Sequence, residues 1–229
     1  QAIDALILIQ SGLDKDRLPV FTLEKLLSEM QLFTTWFCES FLSFEVDEAG
    51  TALCDSTFRW LAEQLSEQHQ VAVHRDYHSR NLMMLDSSKF GADCGPGVID
   101  FQDAVSGSYT YDLVSLLRDC YISWPRLQVE EWASLYLLKA QSAGLLAGCS
   151  EAQLLRDMNI AGLQRNLKVI GIFARLSIRD NKSQYLADIP LVIRYFLDIS
   201  AEFEEMAEFR AWLITEVLPP AKAKLQMEP

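Results

Sequence analysis

Apolar residues recur along this chain in two rhythms, and the change between them comes near residue 70. Before it they return every three or four positions. Ile3, Leu6 and Ile7, with Gln10, predict a helix over residues 1–11 that Gly12 ends. Leu23, Leu26, Leu27, Met30, Phe33, Phe37 and Phe41 predict a long helix capped by Thr22. Phe58, Leu61, Ala62 and Leu65 predict another that starts at Asp55 or Ser56. Then the apolar runs shorten. Residues 71–73, 82–85 and 98–101 predict three strands, with turn residues over 87–97 between the last two. Beyond Tyr109 the helical rhythm returns and predicts helices over 111–123, 128–143, 151–179 (with a break near Gly162), 189–206 and 208–217. Ser150-Glu151-Ala152-Gln153 reads as a capping box for the third of these. The expected fold class is α+β, mostly helical, with one small β insert.

That insert carries the unusual polar residues. Between apolar Val71–Val73 and Leu82–Leu85 stand His74, Arg75, Asp76, His78, Arg80 and Asn81, and Asp100 ends the next apolar run. A loop held between strands is a common place for chemistry. Asp76, Asn81 and Asp100 offer hard oxygen ligands and a potential base, a set that suits Mg²⁺. Phosphoryl transfer divides labour in this way: one carboxylate orients the attacking hydroxyl, while an Asn and an Asp hold the metal on the nucleotide phosphates. Each residue alone is an ordinary turn former. The ordered set H-x-D-x-x-x-x-N, followed by Ile99-Asp100-Phe101, is far more specific. A metal-dependent phosphohydrolase also uses Asp and Asn clusters, but such sites usually draw on more His or carboxylate ligands, and the chain has three His in all.

Composition narrows the partners. The 229 residues are half hydrophobic, enough for one large domain or lobe. A net charge of −12 disfavours generic binding to nucleic acid or anionic membranes and points to a small or cationic substrate. Five cysteines without a C-x-x-C pair argue for a reduced, cytoplasmic protein rather than a disulfide framework or zinc site. No apolar run reaches the length of a membrane span.

The blocks VHRDYHSRN (73–81), GVIDFQDA (97–104) and TYDLVSLLRD (110–119) resemble the aminoglycoside phosphotransferase/choline kinase-like branch of the protein-kinase fold. With QRNLKVIGIFARL (164–176) they are most similar to bacterial N-acetylmuramate/N-acetylglucosamine anomeric kinases. The resemblance implies a protein-kinase-like C-terminal (large) lobe over residues 1–229, with ATP and Mg²⁺ as cofactors. It implies transfer of the γ-phosphoryl group to a sugar hydroxyl in cell-wall sugar salvage. Asp76 would be the catalytic base and Asn81 and Asp100 the Mg²⁺ ligands. His74 would brace the loop, and Asp112 would anchor its backbone. Gln102 departs from the Gly of the protein-kinase DFG motif, as suits a small-molecule kinase. The family's small lobe, with its phosphate-covering loop and Lys, has no counterpart in these residues. The expectation is that the natural protein is longer, since the catalytic residues are intact.

For the acceptor, Arg165, Lys168, Arg175 and Arg179 fall roughly on one helix face and offer a dock for an anionic group such as a lactyl carboxylate. The alternative is a solvated face or partners for the abundant Glu and Asp. His78, Arg80 and Asp103 flank the motif and are candidates for contact with a sugar hydroxyl or amide. Trp124, before Pro125, is a candidate for the acceptor pocket. Two other functions stay open: an aminoglycoside or choline-type phosphotransferase, and a non-catalytic sugar- or nucleotide-binding lobe.

Overall fold

The computed structural model describes residues 1–91 and 94–227. In chain order its elements are α1 (Ala2–Gly12), α2 (Leu23–Leu32), α3 (Glu48–Glu67), β1 (Gln70–Val73), β2 (Leu82–Met83), α4 (Ser87–Phe90), β3 (Gly97–Val98), β4 (Val105–Ser108), α5 (Tyr111–Leu117), α6 (Arg126–Ser142), α7 (Glu151–Asp180), α8 (Ile189–Ser200), α9 (Ala207–Trp212) and α10 (Leu218–Leu225). The fold is α+β and mostly helical, with two small antiparallel sheets. It divides into two compact units, one of Gln1–Phe21 with Leu65–Ala161, the other of Thr22–Gln64 with Gly162 onward.

In the first unit β1 is the buried spine. Val71, Ala72 and Val73 are all buried, and β1 pairs antiparallel with β4 from Gln70↔Ser108 to Val73↔Val105. The sequence pattern hides β4, because Val105-Ser-Gly-Ser108 has one large apolar residue and no alternation. Residues 19–21 line its other edge: Ser106 N donates to Pro19 O and Phe21 N to Ser106 O, both at 2.8 Å. The strands predicted over 82–85 and 98–101 shrink to a two-residue ladder, Leu82↔Val98 and Met83↔Gly97. Asp100 lies beyond it with φ +69°, a left-handed backbone that no strand accommodates. Ala92 and Asp93, inside the predicted turn, lie outside the described residues. Helix α5 ends at Leu117, six residues short of expectation. The reason lies in Asp119, whose carboxylate accepts from Tyr121 N at 3.2 Å and from Ser79, so the chain turns there.

In the second unit, α2 runs on as a π-helical stretch, Phe33–Phe41, and Thr22 caps it by accepting from Lys25 N. Phe33 packs against Phe37 and Phe209, and Phe58 against Phe209, all four rings forming the core of this unit. Helix α3 starts at Glu48, earlier than the apolar spacing shows, because Asp47 caps it by accepting from Gly50 N at 2.8 Å. Helix α7 is unbroken at Gly162. The chain also stays helical past Pro219 and Pro220, since both sit at the start of α10, where no backbone N–H is needed. The Ser150 cap is present: its hydroxyl accepts from Gln153 N at 3.1 Å.

Candidate active site

The loop from His74 to Asn81 leaves the buried end of β1 and returns as β2. Its first residues are held by one side chain. Asp112, fully buried in the first turn of α5, accepts from His74 N at 2.6 Å and from Arg75 N at 2.9 Å. Arg75 has φ +77°, strained for a side chain of its size, and the paired acceptors of Asp112 hold it there. Above this anchor, the Arg75 guanidinium lies 5.1 Å from the Phe21 ring centre. It also comes within 3.5 Å of the backbone carbonyl of Asp103, which is itself exposed.

A circuit of hydrogen bonds joins Asp76, Asn81 and Ile99, the residue before Asp100. Asn81 Nδ2 donates to Asp76 O at 2.9 Å, and Ile99 N donates to Asn81 O at 3.2 Å. His74 closes it: its Nε2 pairs with Ile99 O at 3.0 Å, and its Nδ1 accepts from Asp76 N at 3.3 Å. Since Nδ1 accepts, the ring is neutral with its proton on Nε2. Burial pulls the His74 pKa below its ordinary value, while the carboxylates of Asp76 and Asp100 push the other way with less effect. Both carboxylates are thus within electrostatic reach of one imidazole. Asp76 and Asn81 are half-buried, and Asp100, which accepts from Gln102 Nε2 at 2.8 Å, is exposed.

The sequence reading missed the anchor at the loop's other end. Asp119, nearly fully buried, accepts from Ser79 N at 3.1 Å and from Ser79 Oγ at 2.5 Å. No local spacing marks it, because α5 ends at Leu117 and the carboxylate meets Ser79 forty residues back along the chain. Beside it, Tyr121 gathers two predicted candidates: the Arg80 guanidinium lies 3.3 Å from its ring centre and the His78 ring packs edge-on at 5.7 Å.

Arg165, Lys168, Arg175 and Arg179 of α7 belong to the second unit. Arg165 and Lys168 are buried rather than solvated, Arg175 is half-buried, and Lys168 pairs with the buried Glu29 of α2 at 3.2 Å. Burial pushes the Cys54 thiol up to about 12 and the Cys38 thiol well above its ordinary value, as suits small core residues.

The oxygen set fits Mg²⁺. Asn81 spends Nδ2 on the loop and keeps Oδ1, and Asp100 gives Oδ1 to Gln102 and keeps Oδ2. Among the described residues no group of three or more His, Cys, Asp or Glu side chains is placed to hold a metal by itself. The remaining positions around such an ion would fall to phosphate oxygens and water.

Comparison with known proteins bears on this geometry. The model of the phosphotransferase enzyme family matches residues 4–147, a span that contains the loop, both of its carboxylate anchors and the turn at Asp100. An N-acetylmuramate/N-acetylglucosamine kinase of Pseudomonas putida is 37% identical over 222 residues, covering 97% of this chain and 63% of the relative. The proteins of that name from Pseudomonas aeruginosa and Neisseria meningitidis serogroup B are 39% identical over 207 residues and 38% over 214. They are covered over 59% and 62% of their lengths, against 90% and 93% of this chain. The chain therefore spans about three fifths of the length of the curated relatives it matches. On the family match and the site it encloses, the chain belongs to the phosphotransferase enzyme family.

Proposed function

We propose that this chain is the protein-kinase-like large lobe of an ATP-dependent sugar kinase that phosphorylates the anomeric hydroxyl of N-acetylmuramate or N-acetylglucosamine. The observation that carries the reading is the circuit Asp76–Asn81–Ile99–His74, fixed by Asp112. It ties the backbone of Asp76 to Asn81 and to Ile99, the neighbour of Asp100, which supports a site where one carboxylate serves the acceptor and an Asn and an Asp hold the metal. The similarity to N-acetylmuramate/N-acetylglucosamine kinases suggests the acceptor.

In this mechanism Asp76 accepts a hydrogen bond from the acceptor hydroxyl and takes its proton as the γ-phosphoryl group transfers. Asn81 Oδ1 and Asp100 Oδ2 would hold Mg²⁺, whose charge offsets that of the nucleotide phosphates. His74 keeps the Asp76 backbone in place through Nδ1, and Asp112 keeps the first residues of the loop in register. His78, Arg80 and Asp103 are candidates for contact with acceptor hydroxyl or amide groups. Arg165 and Arg175 are candidates for an anionic substituent, whereas Lys168 is already neutralised by Glu29.

The test is ADP release from Mg²⁺–ATP by the complete gene product with N-acetylmuramate, N-acetylglucosamine, kanamycin or choline. Sugar-dependent release should fall about 10²–10⁴-fold in Asp76→Asn with nucleotide affinity retained. Asp100→Asn should weaken metal-nucleotide binding as well. Release only with kanamycin or choline would replace the acceptor, and equal losses in both variants would undo the division of roles.

A further inference from the structure

His78, Ser79 and Arg80 are the three residues that precede Asn81, and one buried carboxylate governs all of them. We propose that Asp119, with Tyr121 as its second arm, is the positioning residue for the metal side of the site. It sets Asn81 and leaves the approach to Asp76 to Asp112; this rests on the kinase reading above.

The grip is direct at Ser79. Asp119 is 1% exposed, and both of its oxygens are in use. Oδ2 accepts from Ser79 N at 3.1 Å and from Ser79 Oγ at 2.5 Å. A carboxylate buried this deeply is tolerated only with donors on its oxygens, and Ser79 supplies two of them. Ser79 is itself exposed, so water competes for its donors and a fixed acceptor is what keeps it in one place.

The grip is indirect at the two neighbours of Ser79. Oδ1 of Asp119 accepts from Tyr121 N at 3.2 Å and so fixes where that ring stands. The Arg80 guanidinium lies over the ring, 3.3 Å from its centre. The His78 ring meets it at 75° with centres 5.7 Å apart. A guanidinium on an aromatic face and an edge-to-face ring pair are both directional contacts. Residues 78–80 thus have one inward tie and two lateral ones, all traced to Asp119.

The path from this clamp to the metal ligand is short. Residues 79–81 form a single 3₁₀ turn, in which Asn81 N donates to His78 O at 2.9 Å. A turn of this length moves as one piece, so a displacement of Ser79 is passed to the Asn81 side chain. Asp112, in contrast, bonds His74 and Arg75, the residues just before Asp76. The two buried carboxylates therefore divide the loop between its base and its metal ligand. Arg80 and His78 then act through Tyr121 on the metal side, and the acceptor KM separates this role from direct contact with the acceptor.

Calorimetric titration of ADP into the complete gene product, with and without Mg²⁺, tests this alongside acceptor kinetics. In the unmodified protein Mg²⁺ should tighten ADP binding. Asp119→Asn sets an amide N–H donor against the N–H groups of Ser79 and Tyr121. It should cut that tightening about tenfold, a usual loss when a partner behind a metal ligand is removed. Metal-free ADP affinity and the acceptor KM should stay unchanged. Tyr121→Leu should cut the Mg²⁺ effect about threefold, as the loss of an exposed cation–π contact implies. Tyr121→Phe, which keeps the ring, should retain it. The assignment is overturned if the Mg²⁺ effect survives intact in Asp119→Asn and Tyr121→Leu, or if ADP affinity falls equally without Mg²⁺. It is also overturned if Tyr121→Leu raises the acceptor KM instead. Should Asp119→Asn not fold, Tyr121→Leu against Tyr121→Phe decides the question alone. The kinase reading fails by a different result, an unmodified protein whose ADP binding ignores Mg²⁺, which takes the role of the clamp with it. A protein that shows the Mg²⁺ pattern in all variants yet releases no ADP with any acceptor keeps the clamp and loses the transfer reaction.

Discussion

Two polar runs of this chain interrupt apolar surroundings, His74–Asn81 after β1 and Gln164–Lys168 within α7, and the fold uses them in opposite ways. In the first, backbone N–H groups that no ladder satisfies are taken up by buried carboxylates: Asp112 accepts from His74 and Arg75, and Asp119 from Ser79. The side chains of His74 and Asn81 turn inward to complete the same circuit. In the second, the helix satisfies its own backbone, so the polar side chains find partners only through packing. Lys168 finds Glu29, while the fully buried Gln164 amide has no protein hydrogen bond at either end and Asn166 Nδ2 has none either. Polarity in a loop thus fixes geometry by way of the backbone. Polarity in a buried helix fixes only which neighbours are tolerated.

This contrast is broken most sharply at Asp112. Asp112→Ala removes both acceptors of the His74 and Arg75 N–H groups and leaves the left-handed backbone of Arg75 unsupported. Turnover should fall about a hundredfold or more, as expected when a catalytic group is misplaced by about 1 Å. Stability should drop by about 3 kcal/mol. Steady-state ADP release and urea unfolding measure the two together, and unchanged turnover would mean that the anchor does not set the loop. Gly171 in α7 is the opposite case. A Cβ there would meet the backbone carbonyl of Leu32, at the end of α2, well inside van der Waals contact. Gly171→Ala should therefore cost about 1–3 kcal/mol through overpacking, with turnover per folded molecule nearly unchanged. A larger loss of turnover than of stability at Gly171 would erase the distinction.

The candidate loop stood out in the sequence because its polar residues are local: His74, Asp76 and Asn81 lie within eight residues, and Asp100 closes the next apolar run. Helices α1, α2 and α7 were legible for the same reason, as their spacing repeats over three turns or more. What stayed hidden was non-local or conflicted with the local signal. Strand β4 is specified by its partner β1 rather than by its own small, polar residues. The left-handed turn at Asp100 overrides a β-prone Val-Ile-Asp-Phe run, because Ile99 N and O are engaged by Asn81 and His74 instead of by a neighbouring strand. Asp119 sits where helical spacing continues, yet the carboxylate is drawn to Ser79, forty residues back along the chain. On α7 the basic face was visible but its burial was not, because Glu29 lies on a different helix.

The smallest effect is a pH dependence at His74, and it tests the circuit without dismantling it. In the folded protein Nδ1 accepts from Asp76 N, so a second proton would break that bond and set two N–H groups against each other. Burial accordingly holds the folded pKa below the ordinary value near 6.5. For a group depressed in this way, the contribution to stability is complete above the unfolded pKa. It is lost as pH falls from about 6.5 through the folded value, because the unfolded chain takes up the proton first. Turnover should show an acid limb at the lower end of that window, below 6.5, where the folded ring itself takes the proton and releases the Asp76 backbone. His74→Asn provides the control. Its Oδ1 can still accept from Asp76 N but does not titrate, so the limb should move to lower pH even though maximal turnover is reduced. An acid limb that stays in place in His74→Asn belongs to another group, and the neutral imidazole would then brace the loop without limiting its chemistry.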